Sequence, residues 1–281
     1  MDFYKYHALG NDYIVIDPQK VNINLSKKNI QLICHRNFGI GSDGILFGPI
    51  FNNKKIELRI FNPDGSEAEK SGNGLRIFSK YLIDLKYVLE NVFAISTKGG
   101  EVKVEILKDK PISIKIDMGT VTYKSDEIPV NGSVRNVINE PIEIKGVFYN
   151  ITCLSIGNPH CVILLDDISK DKVKDIGPII ENHSLFPNRI NIQLLKVTDR
   201  HNINIEIWER GAGYTLASGS SSCAAASAAF KLGLVEKDIR VHMPGGIIDI
   251  EIDEMNHVQM IGGVSNVAAG YFSDEMRNRV T

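Results

Sequence analysis

The chain has 281 residues, of which 43% are hydrophobic and 23% are charged. It is therefore long enough for one large or two ordinary domains with a hydrophobic core, and its composition excludes a disordered or low-complexity protein. The 32 Lys and Arg residues nearly balance the 34 Asp and Glu residues. Because no basic run of the kind that binds phosphate backbones is present, we expect no nucleic-acid partner.

The targeting, cysteine and metal-binding patterns of the sequence indicate a soluble cytoplasmic protein. The first residues carry no signal-peptide pattern, and no apolar stretch approaches the roughly 18 residues that a membrane span needs, so we expect a soluble cytoplasmic protein with no membrane partner. The four cysteines are scattered without a CxxC pair, which predicts reduced, buried thiols. The seven histidines show no metal-ligand spacing, and no P-loop, HExxH or GxSxG motif occurs, so no metal site is predicted.

Hydrophobic periodicity predicts the elements along the chain. Helices are predicted around Leu25–Cys34, Gly74–Leu85, Ile168–Glu181 and Ser221–Leu232. Period-two alternation, which is typical of half-buried strands, occurs at Val102–Leu107, Ile112–Ile116, Ile203–Ile207 and Ile247–Ile252, and Ile151–Ser155 is also strand-like. The last helix has small residues on every side, so we expect it to be buried all round. The alternating strands favour mostly antiparallel sheets and disfavour a doubly wound Rossmann fold.

One glycine-rich segment matches a nucleotide-binding pattern by its letters alone. Gly39-Ile-Gly-Ser-Asp-Gly44 has the form GxGxxG. It follows Cys34-His-Arg-Asn37 rather than an apolar strand, and it leads into Ile45-Leu-Phe47 rather than a helix. We therefore predict a turn at this segment.

The two halves of the chain resemble each other at two predicted helix starts. Glu69-Lys-Ser-Gly-Asn-Gly74 precedes one helix and Leu216-Ala-Ser-Gly-Ser-Ser221 precedes the other, which places a Ser-Gly pair at each start, 147 positions apart. The chain therefore looks duplicated. We place the boundary near Gly119, with residues 1–118 plus 266–281 as the N-terminal half, residues 119–265 as the C-terminal half, and an active-site cleft between them.

A helix N-terminus offers unpaired backbone N–H groups and a partial positive charge, which suit a carboxylate or a phosphate. Glycine at 72 and at 219 lets a ligand approach the backbone. If both starts face one cleft, a single anionic group would lie among Asn73, Gly74, Gly219 and Ser220. Ser71 and Ser218 would then flank the ligand, although either serine could instead be a simple N-cap.

Polar residues near both helix starts favour an amino-acid ligand. Buried-facing Asn62, Glu209 and Arg210 would bind an ammonium group and a second carboxylate, so an amino-acid zwitterion is the predicted ligand. His160, in the segment Gly157-Asn-Pro-His160, could face the cleft or merely cap a loop.

Eight motifs in order carry a family resemblance. They are Lys5-Tyr-His-Ala-Leu-Gly-Asn-Asp12, Gly39-Ile-Gly-Ser-Asp43, Phe61-Asn-Pro-Asp-Gly-Ser-Glu67, Gly72-Asn-Gly-Leu-Arg76, Gly157-Asn-Pro-His160, Phe186-Pro-Asn-Arg-Ile-Asn191, Trp208-Glu-Arg-Gly-Ala-Gly213 and Met243-Pro-Gly-Gly246. With them, the sequence resembles the diaminopimelate epimerases over essentially its full length.

The resemblance implies an α+β fold of two pseudo-symmetric halves, each a mixed, mostly antiparallel sheet wrapped around a central helix. It also implies a PLP-independent, cofactor-free isomerase that converts LL- to meso-diaminopimelate for lysine and peptidoglycan precursors, and a possible homodimer. In the family one Cys removes the α-proton and a second Cys delivers a proton to the opposite face. Gly72, Asn73, Gly219 and Ser220 match residues that bind the reacting carboxylate. Asn11, Asn62, Asn158, Asn191, Glu209 and Arg210 match residues that bind the distal amino-acid group.

The chain departs from the family at both base positions. Ser71 and Ser218 stand where the family has its two cysteines, and Tyr214 replaces a usual glutamate. A serine hydroxyl is a much weaker acid than a thiol and needs a neighbouring base, for which His160 and Glu209 are the candidates. We therefore assign the acid/base positions to Ser71 and Ser218, assisted by His160 and Glu209.

Several explanations of these serines stay open at this point. They could be engineered to trap a substrate complex, they could belong to a natural lineage with altered chemistry, or the chain could be a non-catalytic amino-acid-binding paralogue. A related isomerase or dehydratase acting on another amino acid is a further alternative. Tyr214 and the run Ser220-Ser-Ser222 also deviate from the family pattern, which favours a natural divergent paralogue.

Overall fold

The computed structural model describes residues 1–53, 55–107 and 112–280. Its helices are α1 (Lys27–Cys34), α2 (Gly72–Asp84), α3 (Lys170–Glu181), α4 (Gly219–Lys231) and α5 (Asp274–Val280). The strands of the first part of the chain are β1 (Phe3–Ala8), β2 (Asn11–Ile16), β3 (Ile45–Asn52), β4 (Lys55–Phe61), β5 (Glu67–Ala68), β6 (Val92–Thr97), β7 (Gly100–Leu107) and β8 (Ser113–Thr120). The remaining strands are β9 (Glu140–Ile144), β10 (Val147–Ser155), β11 (Pro159–Leu164), β12 (Asn191–Asp199), β13 (Asn202–Glu209), β14 (Gly213–Thr215), β15 (Asp238–Met243), β16 (Gly246–Ile252), β17 (His257–Gly263) and β18 (Ser265–Gly270).

The chain divides into two compact units. Unit 1 consists of Met1–Asp117 and Gly262–Thr281, and unit 2 consists of Met118–Ile261. The predicted boundary near Gly119 falls inside β8, which continues to Thr120. Thr281, the last residue of the predicted N-terminal half, lies outside the described residues.

Unit 1 is a mixed sheet with a buried helix on one side. β1 pairs antiparallel with both β18 and β2, and β3–β4, β4–β5, β6–β7 and β7–β8 are also antiparallel. The β2–β3 and β4–β6 pairs are parallel. Helix α2 packs against β1, β2 and β3, and all of its residues from Gly72 to Ser79 are buried. A second apolar cluster joins Ile30 and Ile33 of α1 to Ile14, Phe272 and Val280.

Unit 2 repeats this layout with different residues. The β9–β10, β10–β11, β12–β13, β13–β14, β15–β16 and β16–β17 pairs are antiparallel, whereas β11–β12 and β13–β15 are parallel. Helix α4 packs against β10 to β13, β15 and β16, and nearly every one of its Ala and Ser residues is buried. Helix α3 contributes Val173, Ile176 and Ile180 to the apolar cluster of the other side of the sheet.

The predicted fold class is confirmed, because each unit has a mixed, mostly antiparallel sheet and a buried helix. All four predicted helices are present, and the GxGxxG segment is a turn region that leads into β3. The four cysteines are free and buried, as predicted. Helix α5 was missed by the sequence analysis. Within the described ranges, no helix is long and apolar enough to cross a membrane.

Candidate functional site

The start of α2 lies in unit 1 and is capped by Ser71. The backbone of Ser71 is extended, and its Oγ accepts the Gly74 amide N–H at 3.0 Å, so the serine is an N-cap. An added Cβ at Gly74 would lie 3.2 Å from Ser71 Oγ, so glycine leaves this side chain its space. The first-turn residues Gly72 and Asn73 are buried. This helix start therefore has a fixed hydroxyl beside amides at the positive end of a helix dipole.

The start of α4, in unit 2, is also capped by a serine. Ser218 is the N-cap, and its Oγ accepts the Ser221 amide N–H at a longer 3.5 Å. The Ser222 hydroxyl donates to the Ser218 carbonyl at 2.8 Å. Ser220 lies beside Asn158, whose Nδ2 donates to the Ser220 Oγ at 3.5 Å. The N-cap interpretation of both serines is thus realised, and it leaves each hydroxyl proton available to a second partner.

Ser71 has such a partner in Tyr13, which the sequence analysis did not single out. The Tyr13 phenol oxygen lies 3.3 Å from Ser71 Oγ. Tyr13 is on β2 and is only 7% exposed. A signal for it was present, because Tyr13 stands 58 positions before Ser71, the same distance that separates His160 from Ser218.

Two predicted substrate amides of unit 1 hold each other in place. Asn73 Nδ2 donates to Asn11 Oδ1 at 3.0 Å, and Asn11 Nδ2 donates to Asp43 Oδ2 at 2.9 Å. The buried Arg76 guanidinium donates to Asn73 Oδ1. These bonds fix the orientation of both amides. Asn62 is half-buried in its own turn, where its Nδ2 donates to Ser66 Oγ at 3.0 Å.

His160 is fully buried in β11, and both of its ring nitrogens have partners. Gln193 Nε2 donates to Nδ1 at 3.1 Å, and Nε2 lies 2.9 Å from Asn158 Oδ1. Since the Gln193 amide nitrogen is a donor, Nδ1 accepts and Nε2 carries the proton. Burial, helped by the charge of Arg210, lowers the pKa of His160 to about 3. His160 is therefore neutral at physiological pH, and its geometry suits the orientation of Asn158 better than proton abstraction.

Gln193 connects this histidine to the start of α4. Its Nε2 also donates to the Ser221 Oγ at 3.0 Å. Asn158, His160, Gln193 and Ser221 therefore form one polar chain in unit 2, which is buried except at the half-buried Asn158. Gln193 was not predicted from the sequence, because it lies in an apolar strand segment, Asn191–Leu195, and carries no local motif.

The remaining predicted residues of unit 2 lie around the turn between β13 and β14. Asn191 accepts the Arg210 amide N–H at 3.0 Å and donates to the Pro159 carbonyl at 2.7 Å. Glu209 is half-buried and accepts the Thr215 hydroxyl at 2.9 Å. Arg210 is exposed and donates to the Asn188 carbonyl at 3.1 Å. The expectation of a buried-facing Arg210 was therefore wrong, because the guanidinium extends along the loop surface.

Glu181 of α3 holds this turn and was missed by the sequence analysis. Its carboxylate accepts the Trp208 indole N–H at 2.7 Å, the Gly211 amide at 2.8 Å and the Arg189 guanidinium at 3.2 Å. Nothing in the local sequence around Glu181 indicates these contacts, since the partners lie 8 to 30 positions away.

Tyr214 points its phenol at Glu206. The hydroxyl donates to Glu206 Oε2 at 3.0 Å, and the ring packs against the apolar cluster beside α3. Burial together with the Glu206 charge raises the pKa of Tyr214 to about 12. The phenol therefore stays protonated and does not supply the negative charge that a glutamate would. Among the described residues, no group of three His, Cys, Asp or Glu side chains is placed to hold a metal ion.

Comparison with known proteins identifies full-length relatives. A family model described as "Diaminopimelate epimerase" matches residues 3–124 and 152–267. "Diaminopimelate epimerase 2" of Nostoc sp. is 56% identical over 98% of this chain and 97% of its own length. "Diaminopimelate epimerase" of Moorella thermoacetica is 36% identical over 97% of this chain and 99% of its own length.

Solved structures share the fold at low sequence identity. A hydroxyproline epimerase from Agrobacterium vitis with bound trans-4-OH-L-proline has a TM-score of 0.68 at 10% identity, covering 95% of this chain and 90% of its own. A phenazine biosynthesis protein of the PhzF family from Bacillus anthracis has a TM-score of 0.66 at 17% identity, covering 95% and 96%. At such identities these structures establish the architecture alone.

Proposed function

The chain belongs to the diaminopimelate epimerase family, a family of isomerases, and on that premise we propose that it interconverts LL- and meso-diaminopimelate without a cofactor. The observation that carries this proposal is the 56% identity, over 98% of the chain, to a protein named diaminopimelate epimerase 2. The proposed substrate is a small amino acid. We also propose that the protein is cytoplasmic. We further propose that it is a homodimer, which sedimentation at micromolar concentration would test.

The two capped helix starts are the proposed carboxylate-binding groups. Gly72 and Asn73 on α2, with Gly219 and Ser220 on α4, would bind the reacting carboxylate through backbone amides. Removal of the α-proton moves negative charge onto the carboxylate oxygens, and amides already aimed at those oxygens stabilise that charge. The proposed distal group is bound by Asn11, Asn62, Asn158, Asn191, Glu209 and Arg210.

Ser71 and Ser218 are the proposed acid/base residues, and the weak acidity of their hydroxyls determines the expected turnover rate. A thiol with a pKa of about 8.5 is a few per cent thiolate at neutral pH, whereas an alcohol is almost fully protonated. Each tenfold deficit in reactive base adds about 1.4 kcal/mol to the barrier. We therefore expect slow turnover in the natural chain and faster turnover when both positions are cysteine.

The test is α-hydrogen exchange into deuterated water with LL- and meso-diaminopimelate. It compares the natural chain with the S71C/S218C double variant. Exchange in the double variant supports the substrate assignment, and exchange in the natural chain supports serine-based catalysis. If neither protein exchanges or binds either isomer, the substrate assignment is wrong, and a related isomerase or dehydratase acting on another amino acid takes its place.

The second candidate function is an amino-acid-binding protein without catalysis. The observation that favours it is serine at both base positions, since each serine is already satisfied as an N-cap. This candidate predicts that the natural chain binds diaminopimelate with no α-hydrogen exchange. Calorimetric binding combined with the exchange experiment separates the two functions.

Recognition of the distal group is tested by Glu209→Gln and Arg210→Ala. Hydrogen bonds to charged groups contribute about 1.5–3 kcal/mol, so each change should weaken binding roughly tenfold or more. Arg200→Ala is the matched control, because Arg200 is an exposed arginine of unit 2 whose partner is Glu236. If affinity for diaminopimelate is the same in all three variants and the natural chain, the placement of the distal group is wrong.

A further inference from the structure

We propose that Tyr13 is the acid–base partner of Ser71, and that its phenol exchanges protons with the Ser71 hydroxyl during removal of the substrate α-proton. This inference rests on the proposed function and deepens it, because it supplies the base that a serine lacks. It also assigns a role to a residue that neither the motifs nor the matched relatives' names indicate.

Ser71 Oγ has one donor and one hydroxyl partner. Ser71 Oγ accepts the Gly74 amide at 3.0 Å, and the phenol oxygen of Tyr13 lies on it at 3.3 Å. Because the amide is a donor, the serine hydroxyl hydrogen is available to Tyr13. The separation is longer than an ideal O–H···O bond, as is common for acid–base pairs before a substrate is bound.

The position of the phenol is built into the fold. A Cβ at Gly44 would lie 2.6 Å from Tyr13 Cε1 and 2.5 Å from the Phe61 carbonyl oxygen, so only glycine admits the ring there. Gly74 in turn leaves space for the Ser71 side chain. Two glycines on different elements thus make room for the two hydroxyl-bearing side chains.

The residues at corresponding positions of the two units make different contacts. Tyr13 and His160 each stand 58 residues before the serine of their unit. His160 bonds Asn158 and Gln193, whereas Tyr13 bonds the serine itself. Of the two equivalent residues, the tyrosine is therefore the one placed for proton transfer.

The proposed proton transfer needs no reactant other than the substrate, Ser71 and Tyr13. The substrate Cα–H bond breaks, its electron pair stays on the substrate as an enediolate, and the proton moves to Ser71 Oγ. The serine hydroxyl proton moves at the same time to the Tyr13 phenolate, so one negative charge passes from the phenolate to the substrate. A phenol is a far stronger acid than an alcohol, so a phenolate is a far more accessible base than an alkoxide.

Titratable and charged groups lie on the two elements packed against β2. Tyr6 pairs directly opposite Tyr13 on β1, Tyr4 is two residues away on the same strand, and α2 carries Arg76, Lys80, Tyr81 and Asp84. Burial and the Asp84 carboxylate raise the pKa of Tyr6 above its ordinary value. Burial and a hydrogen bond to Asp17 do the same for the pKa of Tyr81. These two phenols therefore ionise only above the ordinary range of a phenol.

The experiment follows α-hydrogen exchange of both diaminopimelate isomers from about pH 6 to pH 10. In the natural chain the rate should rise about tenfold per pH unit between about pH 7 and pH 9, as phenolate accumulates. Tyr13→Phe should lower the rate about 100-fold or more and abolish that rise. Replacing Tyr13 by a fluorinated tyrosine, whose phenol is more acidic, should move the rising limb to lower pH.

Two further variants separate chemistry from structure. Tyr123→Phe removes another buried phenol, which donates to the Ser227 carbonyl at 2.8 Å, and it should keep the rate and pH profile of the natural chain. A thiol ionises without a neighbouring base. The loss of exchange rate caused by Tyr13→Phe should therefore be at least tenfold smaller in the S71C/S218C background than in the natural chain.

Each outcome decides the inference. If Tyr13→Phe keeps the pH-dependent rise, or loses equal activity in both backgrounds, Tyr13 is not the acid–base partner. If the S71C/S218C variant exchanges and the natural chain does not, Tyr13 fails to activate Ser71 while the proposed function stands. If no variant exchanges or binds either isomer, the proposed function is wrong and the inference is overturned with it.

Discussion

Burial is the main reason that His160 stays neutral. Its ordinary pKa is about 6.5, and burial lowers it to about 3 in the folded chain. Below about pH 6.5 the unfolded chain therefore binds a proton that the folded chain does not bind. The stability that depends on neutral His160 is thus complete above that pH and is lost as the pH falls toward 3.

We predict a pH-dependent stability difference between the natural chain and His160→Gln. As the pH falls from about 6 to about 4, this histidine should lower the free energy of unfolding by about 1.4 kcal/mol per pH unit, and the variant should lack that slope. Urea unfolding followed by the fluorescence of Trp208, the chain's single tryptophan, measures it within unit 2. Parallel slopes in the two proteins would show that His160 is protonated when folded.

Residues that act through local sequence were predictable, and residues that act at a distance were not. Both serine N-caps followed from Ser-Gly pairs at helix starts, because a cap bonds an amide three positions away. The Tyr13–Ser71 contact spans 58 positions, and Glu181 reaches Gly211 across 30. Such contacts depend on how strands and helices pack, which periodicity does not encode.

The turn that carries Glu209 and Arg210 depends on a neighbouring helix. Glu181, at the end of α3, is only 6% exposed and accepts donors from Trp208, Gly211 and Arg189. Without this carboxylate the Gly211 amide and the Trp208 indole would lose their charged acceptor. A helix therefore orients a loop that is proposed to bind substrate.

We predict that Glu181→Ala lowers the free energy of unfolding of unit 2 by about 2 kcal/mol, because it removes hydrogen bonds to a charged, buried carboxylate. Glu236→Ala, which removes an exposed ion pair with Arg200, should lower it by no more than about 0.5 kcal/mol. Urea unfolding measures both variants. Equal losses would mean that Glu181 does not hold the turn.

Long, strongly patterned elements were predictable from sequence, whereas short ones were not. Helices α1 to α4 each have a serine N-cap, α1 to α3 add apolar periodicity and α4 a run of small residues, and each was predicted within two residues at both ends. Helix α5 has seven residues with Val280 alone buried, so it has no periodic apolar face. Strands β5 and β14 have two and three residues, too few for an alternating pattern.

At the scale of the whole molecule, the two ends of the chain belong to the same unit. β18 pairs with β1, placing Phe3 opposite Gly270. Asp2 accepts the Phe272 amide at 2.9 Å and the Arg277 guanidinium at 2.6 Å, and the Val280 carbonyl accepts the Asn24 amide at 2.8 Å. Duplication was readable from sequence because it repeats motifs, whereas β18 is exposed along most of its length and carries no core pattern.

We predict that deletion of residues 266–281 destabilises unit 1 selectively. Hydrogen exchange measured by mass spectrometry should show lost protection in β1 and β2, with protection retained in β11 to β13 of unit 2. The control is Val267→Ser, which alters an exposed side chain of β18 and keeps its backbone pairing. Unchanged protection in β1 after the deletion would contradict the prediction.

The pairing of β18 with β1 also sets an order of events during synthesis on the ribosome. Every residue of unit 2 has been translated before β18 emerges, so unit 2 can fold while the polypeptide is still growing. β1, although translated much earlier, keeps this edge unpaired until β18 has been translated. A nascent chain stalled before residue 265 would therefore expose that edge to chaperones or to neighbouring chains.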